Sequence, residues 1–161
     1  SWIEGRWMMP ERKALANLKR WALIAYGATF IQIFIGAVMR HADAGLAIAQ
    51  FPLANEHSLI PAYWNCPVAI HFAHRVGAVF LTGLLLWFCV YLWRFRALDR
   101  LFAQFSSVIV GILSLQIYLG ALTIWTAKNP YSATMHHLVG AFLLASVWGI
   151  AFILNRNPES D

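Results

Sequence analysis

The chain has 161 residues, 60% of them apolar and only 12% charged, with 12 Lys+Arg against 7 Asp+Glu and a formal net charge of +5. A mean hydropathy of +0.60 excludes disordered, collagen-like and disulfide-scaffold chains. Two cysteines, Cys66 and Cys89, are too few for a disulfide framework or a thiolate zinc site. The basic balance does not require nucleic acid, because Lys and Arg gathered on one side of a bilayer give the same sum.

In chain order, residues 1–20 form a basic N-terminal segment. Within it Ile3-Glu4-Gly5-Arg6 reads like a protease recognition site placed ahead of the natural chain, with Met8 or Met9 as the native start, so residues 1–7 are set aside from the functional reading. Crossing a hydrocarbon core of roughly 30 Å takes about 20 apolar residues. Four stretches qualify: 21–39 with Gln32 inside it, 68–93 with His71, His74 and Arg75, 102–125 with Gln104 and Gln116, and 134–154 with His136 and His137. The first follows a long basic segment and does not resemble a cleavable signal peptide.

The links between 93 and 102 and between 125 and 134 are short, whereas the loop 41–67 is long and broken by Pro52, Pro61 and Pro67. Within it, residues 43–49 read as a small amphipathic piece lying on the membrane surface. Short links join antiparallel neighbours. The expectation is an all-α, integral membrane four-helix bundle over 21–154, up-down-up-down, with a tail at 155–161.

Arg6, Arg12, Lys13, Lys19 and Arg20 precede the first span, Arg94, Arg96 and Arg100 lie between the second and third, and Arg156 follows the fourth. By the positive-inside rule that side is cytoplasmic, so both termini are inside a prokaryotic inner or plasma membrane. Arg40 and Lys128 then flank the outer face.

The chain repeats itself. Gln32-Ile33-Phe34-Ile35-Gly36-Ala37 returns as Gln116-Ile117-Tyr118-Leu119-Gly120-Ala121, and His74-Arg75-Val76-Gly77-Ala78 is echoed by His137-Leu138-Val139-Gly140-Ala141. A helix pair is thus duplicated, and its Gly-Ala steps allow close helix approach.

Ionisable groups inside a bilayer are expensive and mark interiors or cofactors. Four of the six histidines lie there. His74 is roughly 10 Å from Pro67, and His136 roughly 9 Å from Pro130, at the helical rise. Imidazoles at matched depth on alternate antiparallel helices suit a flat metal macrocycle, and haem iron takes neutral imidazole as axial ligand. Arg75, Arg40 and Lys128 are the cations placed for its propionates, and Phe72, Tyr118, Trp125 and Phe142 are aromatic residues available to pack on the ring or to form a membrane belt. Helix–helix hydrogen bonding, a compact metal site of His71, His74, His136 and His137, and a proton path are the alternatives. His41 and His57 fall in the loop. Cys66 and Cys89 fall on opposite sides of the bilayer and cannot pair.

Several stretches, taken in order, resemble the heme A synthase family of cytochrome oxidase assembly. They are Gly36-Ala37-Val38-Met39-Arg40, Gly45-Leu46-Ala47 with Phe51-Pro52-Leu53, His74-Arg75, and Gly120-Ala121-Leu122-Thr123 with Thr134-Met135-His136. The resemblance covers nearly all four spans. It implies one four-helix half of an eight-helix architecture, completed by a homodimer or a partner membrane subunit. It further implies His74 and His136 as haem-iron ligands; the internal repeat instead favours His137, and His136 is preferred with His137 as the alternative.

The family's carboxylate three residues before the second-helix His is replaced by His71, which becomes the candidate catalytic base because imidazole titrates near neutrality. The places of a loop cysteine pair hold Ile48 and Ala54. The activity implied is an oxidoreductase taking heme O to heme A. The alternatives are a heme B electron-transfer subunit of a respiratory complex, and a haem carrier or assembly factor working with haem-synthesis or terminal-oxidase proteins.

Overall fold

A long apolar run has no water to satisfy its main chain in a bilayer, so it folds as a helix that bonds every backbone N–H and C=O within itself. The computed structural model describes residues 9–156, with side chains from residue 13 onward. It contains four helices: α1 (Met9–His41), α2 (Cys66–Trp93), α3 (Arg100–Trp125) and α4 (Pro130–Asn155). Each is long and apolar enough to cross a membrane, and the described residues contain no strand. The chain is an all-α integral membrane bundle. The tetrapeptide at 3–6 and the tail beyond 156 lie outside the described residues.

Every helix starts earlier than its apolar run. α2 is opened by Asn65, whose side chain accepts from the Val68 N–H at 2.9 Å, with Pro67 in the first turn. Asp99 accepts from the Leu101 N–H at 2.9 Å before α3, and Asn129 from the Tyr131 N–H at 2.9 Å before α4, where Pro130 is the first helical residue. These caps satisfy orphan N–H groups, and proline lacks the donor that would otherwise be orphaned. α1 extends furthest, to Met9, because its basic first half still packs: Leu18 is fully buried, and the Tyr91 hydroxyl of α2 donates to the Ala14 carbonyl at 3.3 Å.

The helices form a closed square in which α1 packs on α2 and α4, and α3 packs on α2 and α4. The helices of each diagonal make no extensive contact. One end of the square carries the start of α1, the end of α4 and the 94–99 turn; the other carries the long loop and the 126–129 turn.

The terminal half holds the apolar core: Leu18, Ala22 and Ala25 of α1, Leu85, Phe88, Cys89 and Leu92 of α2, Ile109 and Leu113 of α3, and Val147, Ile150, Ala151 and Leu154 of α4. The Ser106 hydroxyl ties α3 to α2 through the Cys89 carbonyl at 3.2 Å. Phe80, 74% exposed, belongs to an exterior as apolar as this core. Lipid tails solvate such groups as well as protein does, so packing, not transfer out of water, holds this half together.

At the loop end, residues 43–49 do not lie flat as an amphipathic helix. Asp43 turns the chain with φ 49°, Ala44–Leu46 forms a single 3-10 turn against α1 and α2, and Ala44 and Ile48 are buried. Their small or apolar side chains are more favourably placed against the helix ends than in the interface.

Candidate functional site

The loop half of the square is built from polar side chains and glycines. His74 of α2 lies against Gly36 of α1, where a Cβ would sit 3.1 Å from the ring's Cε1; His136 of α4 lies against Gly120 of α3 at the same 3.1 Å. The glycines are needed for space at these two points. Gln32, one turn before Gly36, donates its amide Nε2 to the His74 carbonyl at 2.8 Å and meets His74 Nδ1 at 3.1 Å. Gln116, one turn before Gly120, accepts His136 Nδ1 on its main-chain carbonyl at 3.1 Å and brings its amide Nε2 within 3.4 Å of His136 Nε2. Gly77 and Gly140 in turn make room for the two amides. The Gln116 Oε1 is buried with no hydrogen-bond partner.

Both hairpins therefore carry one arrangement: glutamine and glycine on the first helix, histidine and glycine on the second. The second histidine of this arrangement is His136. His137, which the sequence repeat aligns with His74, is exposed and does not meet the α3 glycine. Its ring centroid is 6.1 Å from that of His136. His74 stands on α2 and His136 and His137 on α4, the two helices of one diagonal of the square.

His71 is 2% exposed. Its Nδ1 faces the Ile48 N–H at 3.2 Å, and its Nε2 faces the Arg75 Nε–H at 3.2 Å. A neutral imidazole accepts at one nitrogen and donates at the other, so the ring satisfies only one of these two donors at a time, and the Ala44 carbonyl is an acceptor beside it.

Arg75 also donates to the carbonyls of Leu53 at 3.2 Å, Ile48 at 2.9 Å and Gln50 at 2.5 Å, and lies 5.7 Å from the Phe51 ring centroid. The guanidinium is thus the clasp of the loop between Ile48 and Leu53. Lys128 pairs with the exposed Asp43 at 3.4 Å, and its stem covers Gly45. Arg40 is exposed in the last turn of α1. Phe72 packs edge-on to Trp64, and Trp125 hydrogen-bonds the Phe51 carbonyl at 3.4 Å, so both secure the loop; Tyr118 and Phe142 are more than half exposed on the exterior.

The donor set suits a haem iron. His136 has its Nδ1 proton anchored on a carbonyl, the usual outer support for an imidazole that ligates through Nε2. The two histidine-bearing helices are a diagonal pair and so are not packed together. Among the described residues no three His, Cys, Asp or Glu side chains group as a metal-ion site, which sets the compact metal-site alternative aside.

In the sequence Gln32 and Gln116 stand out only as polar interruptions and repeat markers. The Gln-x-x-x-Gly spacing shared by α1 and α3 was the available signal that they face a ring on the neighbouring helix.

Residues 2–148 match the family model described as "Cytochrome oxidase assembly protein". The chain is 27% identical over 143 residues to a protein named "Heme A synthase" from Listeria monocytogenes, covering 87% of this chain and 45% of that protein. It is 30% identical over 162 residues to one of the same name from Caulobacter sp., covering 91% and 46%, and 30% identical over 146 residues to one from Rickettsia massiliae, covering 83% and 42%. The chain spans a little under half the length of these relatives. No solved structure matches it.

Proposed function

The chain belongs to the cytochrome oxidase assembly protein family, and from that premise we propose that it is a haem-binding membrane oxidoreductase of heme A formation, acting on heme O. The observation that carries this reading is the duplicated cradle: His74 against Gly36 and Gln32, His136 against Gly120 and Gln116. Buried imidazoles are costly in lipid. A chain that repeats one, with matching glycines and amides, supports a ligand held between the hairpins.

In this reading His74 and His136 would hold the haem iron, with His137 as the neighbour that can replace His136. Arg40 and Lys128 neutralise propionates at the loop end. Arg75 contributes through the loop it clasps. The bound group supplies the redox-active iron; the protein supplies orientation, an apolar surround and a loop that restricts water. His71 serves as base only if the Ile48–Leu53 segment lifts away from it. A second copy, or another membrane subunit, completes the architecture that the longer relatives contain. The loop end faces outward, and both termini are cytoplasmic.

One observation favours a second reading, a heme B electron-transfer subunit: both His71 nitrogens face protein donors, in the place where the family has a carboxylate. Extraction of the pigment from purified protein separates the two. Heme O or heme A is the expected result, and heme B alone supports the electron-transfer reading. His74→Ala and His136→Ala should each weaken and shift the Soret band. A spectrum unchanged in both variants overturns the ligand assignment.

A further inference from the structure

The two cradles are alike in position but not in hydrogen bonding, and the difference fixes where each ring keeps its proton. A main-chain carbonyl can only accept. The atom of Gln32 that lies 2.8 Å from the His74 carbonyl is therefore the amide nitrogen, and the same nitrogen stands 3.1 Å from His74 Nδ1. It donates there too, which makes Nδ1 the acceptor and puts the ring proton on Nε2. At the other cradle His136 Nδ1 faces the Gln116 carbonyl at 3.1 Å. That nitrogen must carry the proton, leaving Nε2 with a bare electron pair, which the Gln116 amide approaches at 3.4 Å.

The amides also differ in how firmly they are seated. The Gln32 amide makes both contacts to His74, and its Oε1 lies in the space left by Gly77. The Gln116 amide makes one long contact and leaves Oε1 buried without a partner. Its hold on His136 Nε2 is therefore easily given up.

We propose that the two imidazoles are set in opposite tautomers and that Gln32 is the positioning residue that decides whether His74 can donate an electron pair through Nε2. His136 is ready to ligate. His74 becomes ready only when its proton moves to Nδ1, and that requires the Gln32 amide to turn so that Oε1 accepts it. The turn gives up the bond to the His74 carbonyl. This inference deepens the haem reading, yet the tautomers themselves do not depend on any ligand.

The test uses the chain labelled with ¹⁵N-histidine, in lipid and without haem, at a pH where the imidazoles are neutral. Nitrogen NMR distinguishes a protonated from a bare ring nitrogen, and His74→Gln and His136→Gln assign the signals. The expected result is a bare Nδ1 at His74 and a bare Nε2 at His136. Gln32→Leu should convert the His74 signal to a mixture of tautomers while leaving His136 unchanged. Should that variant fail to fold, Gly77→Ala displaces the same amide and gives the same readout. One tautomer at both rings, or a His74 signal indifferent to both variants, overturns the proposal.

Titration with heme B adds a second arm: His136→Ala should lose roughly tenfold more affinity than His74→Ala, in the range that outer hydrogen-bond partners command. Equal losses count against the inequality. Complete absence of haem binding by the unaltered chain would reject the haem reading, and the nitrogen spectrum would still decide the tautomers.

Discussion

The terminal and loop halves of the bundle use the same four helices for opposite ends. In the terminal half, Phe88, Leu85, Leu92, Ile109, Val147 and Ile150 are fully buried inside the square. In the loop half the same helices place glycines where bulk would normally go, and imidazoles and amides where apolar side chains would. Close packing in one half frees the other to hold polar groups at separations that packing alone would close. A membrane bundle gains little from burying apolar surface away from lipid, so the filled half must hold the assembly together largely by shape.

The division can be broken from either side. The largest effect is expected at the ring cradles. Gly36→Leu or Gly120→Leu puts a branched side chain where even a Cβ lies 3.1 Å from an imidazole, so haem affinity should fall by about 3 kcal/mol, roughly a hundredfold or more, with helicity retained. Haem titration followed at the Soret band checks this; undiminished affinity would detach the glycines from the ligand.

Next comes Phe88→Ala, which opens a void in the filled half. In lipid the transfer contribution is small and the lost packing remains, so thermal stability in detergent should drop by about 2 kcal/mol while haem, once bound, keeps its spectrum. A changed spectrum would mean the halves are coupled more tightly than the division implies.

Third is Arg75→Lys. A lysine cannot reach three carbonyls and an imidazole together, so the 48–53 segment should open more often by about 1.5 kcal/mol, roughly tenfold in its protection from hydrogen exchange. Smallest is Lys128→Ala. Its partner Asp43 is 93% exposed, so the melting temperature should move by less than about 0.5 kcal/mol allows.

The spans, their antiparallel order and the duplication were all legible in the sequence, because each is written in long apolar runs and in motifs repeated with the same spacing. The choice between His136 and His137 was divided: the family resemblance favours His136, whereas the internal repeat favours His137. Gly140 follows one by four residues and the other by three, and both spacings keep a helical face. In the structure the approach of α3, with its Gly120 and the Gln116 carbonyl, meets His136.

The loop was opaque for a different reason. Arg75 reaches carbonyls 22 to 27 residues away, and carbonyl positions leave no mark in side-chain pattern. So an arginine expected to face a cofactor, and a histidine expected to face a substrate, are both turned toward their own loop. Ile48 and Ala54 bracket a segment that hydrogen bonds to this one guanidinium hold down.

Each histidine is served by the helix immediately before it: His74 by α1, His136 by α3. Each hairpin therefore carries its own hydrogen-bond partner for its own imidazole, and the two hairpins depend on each other through the shared apolar core rather than through these rings.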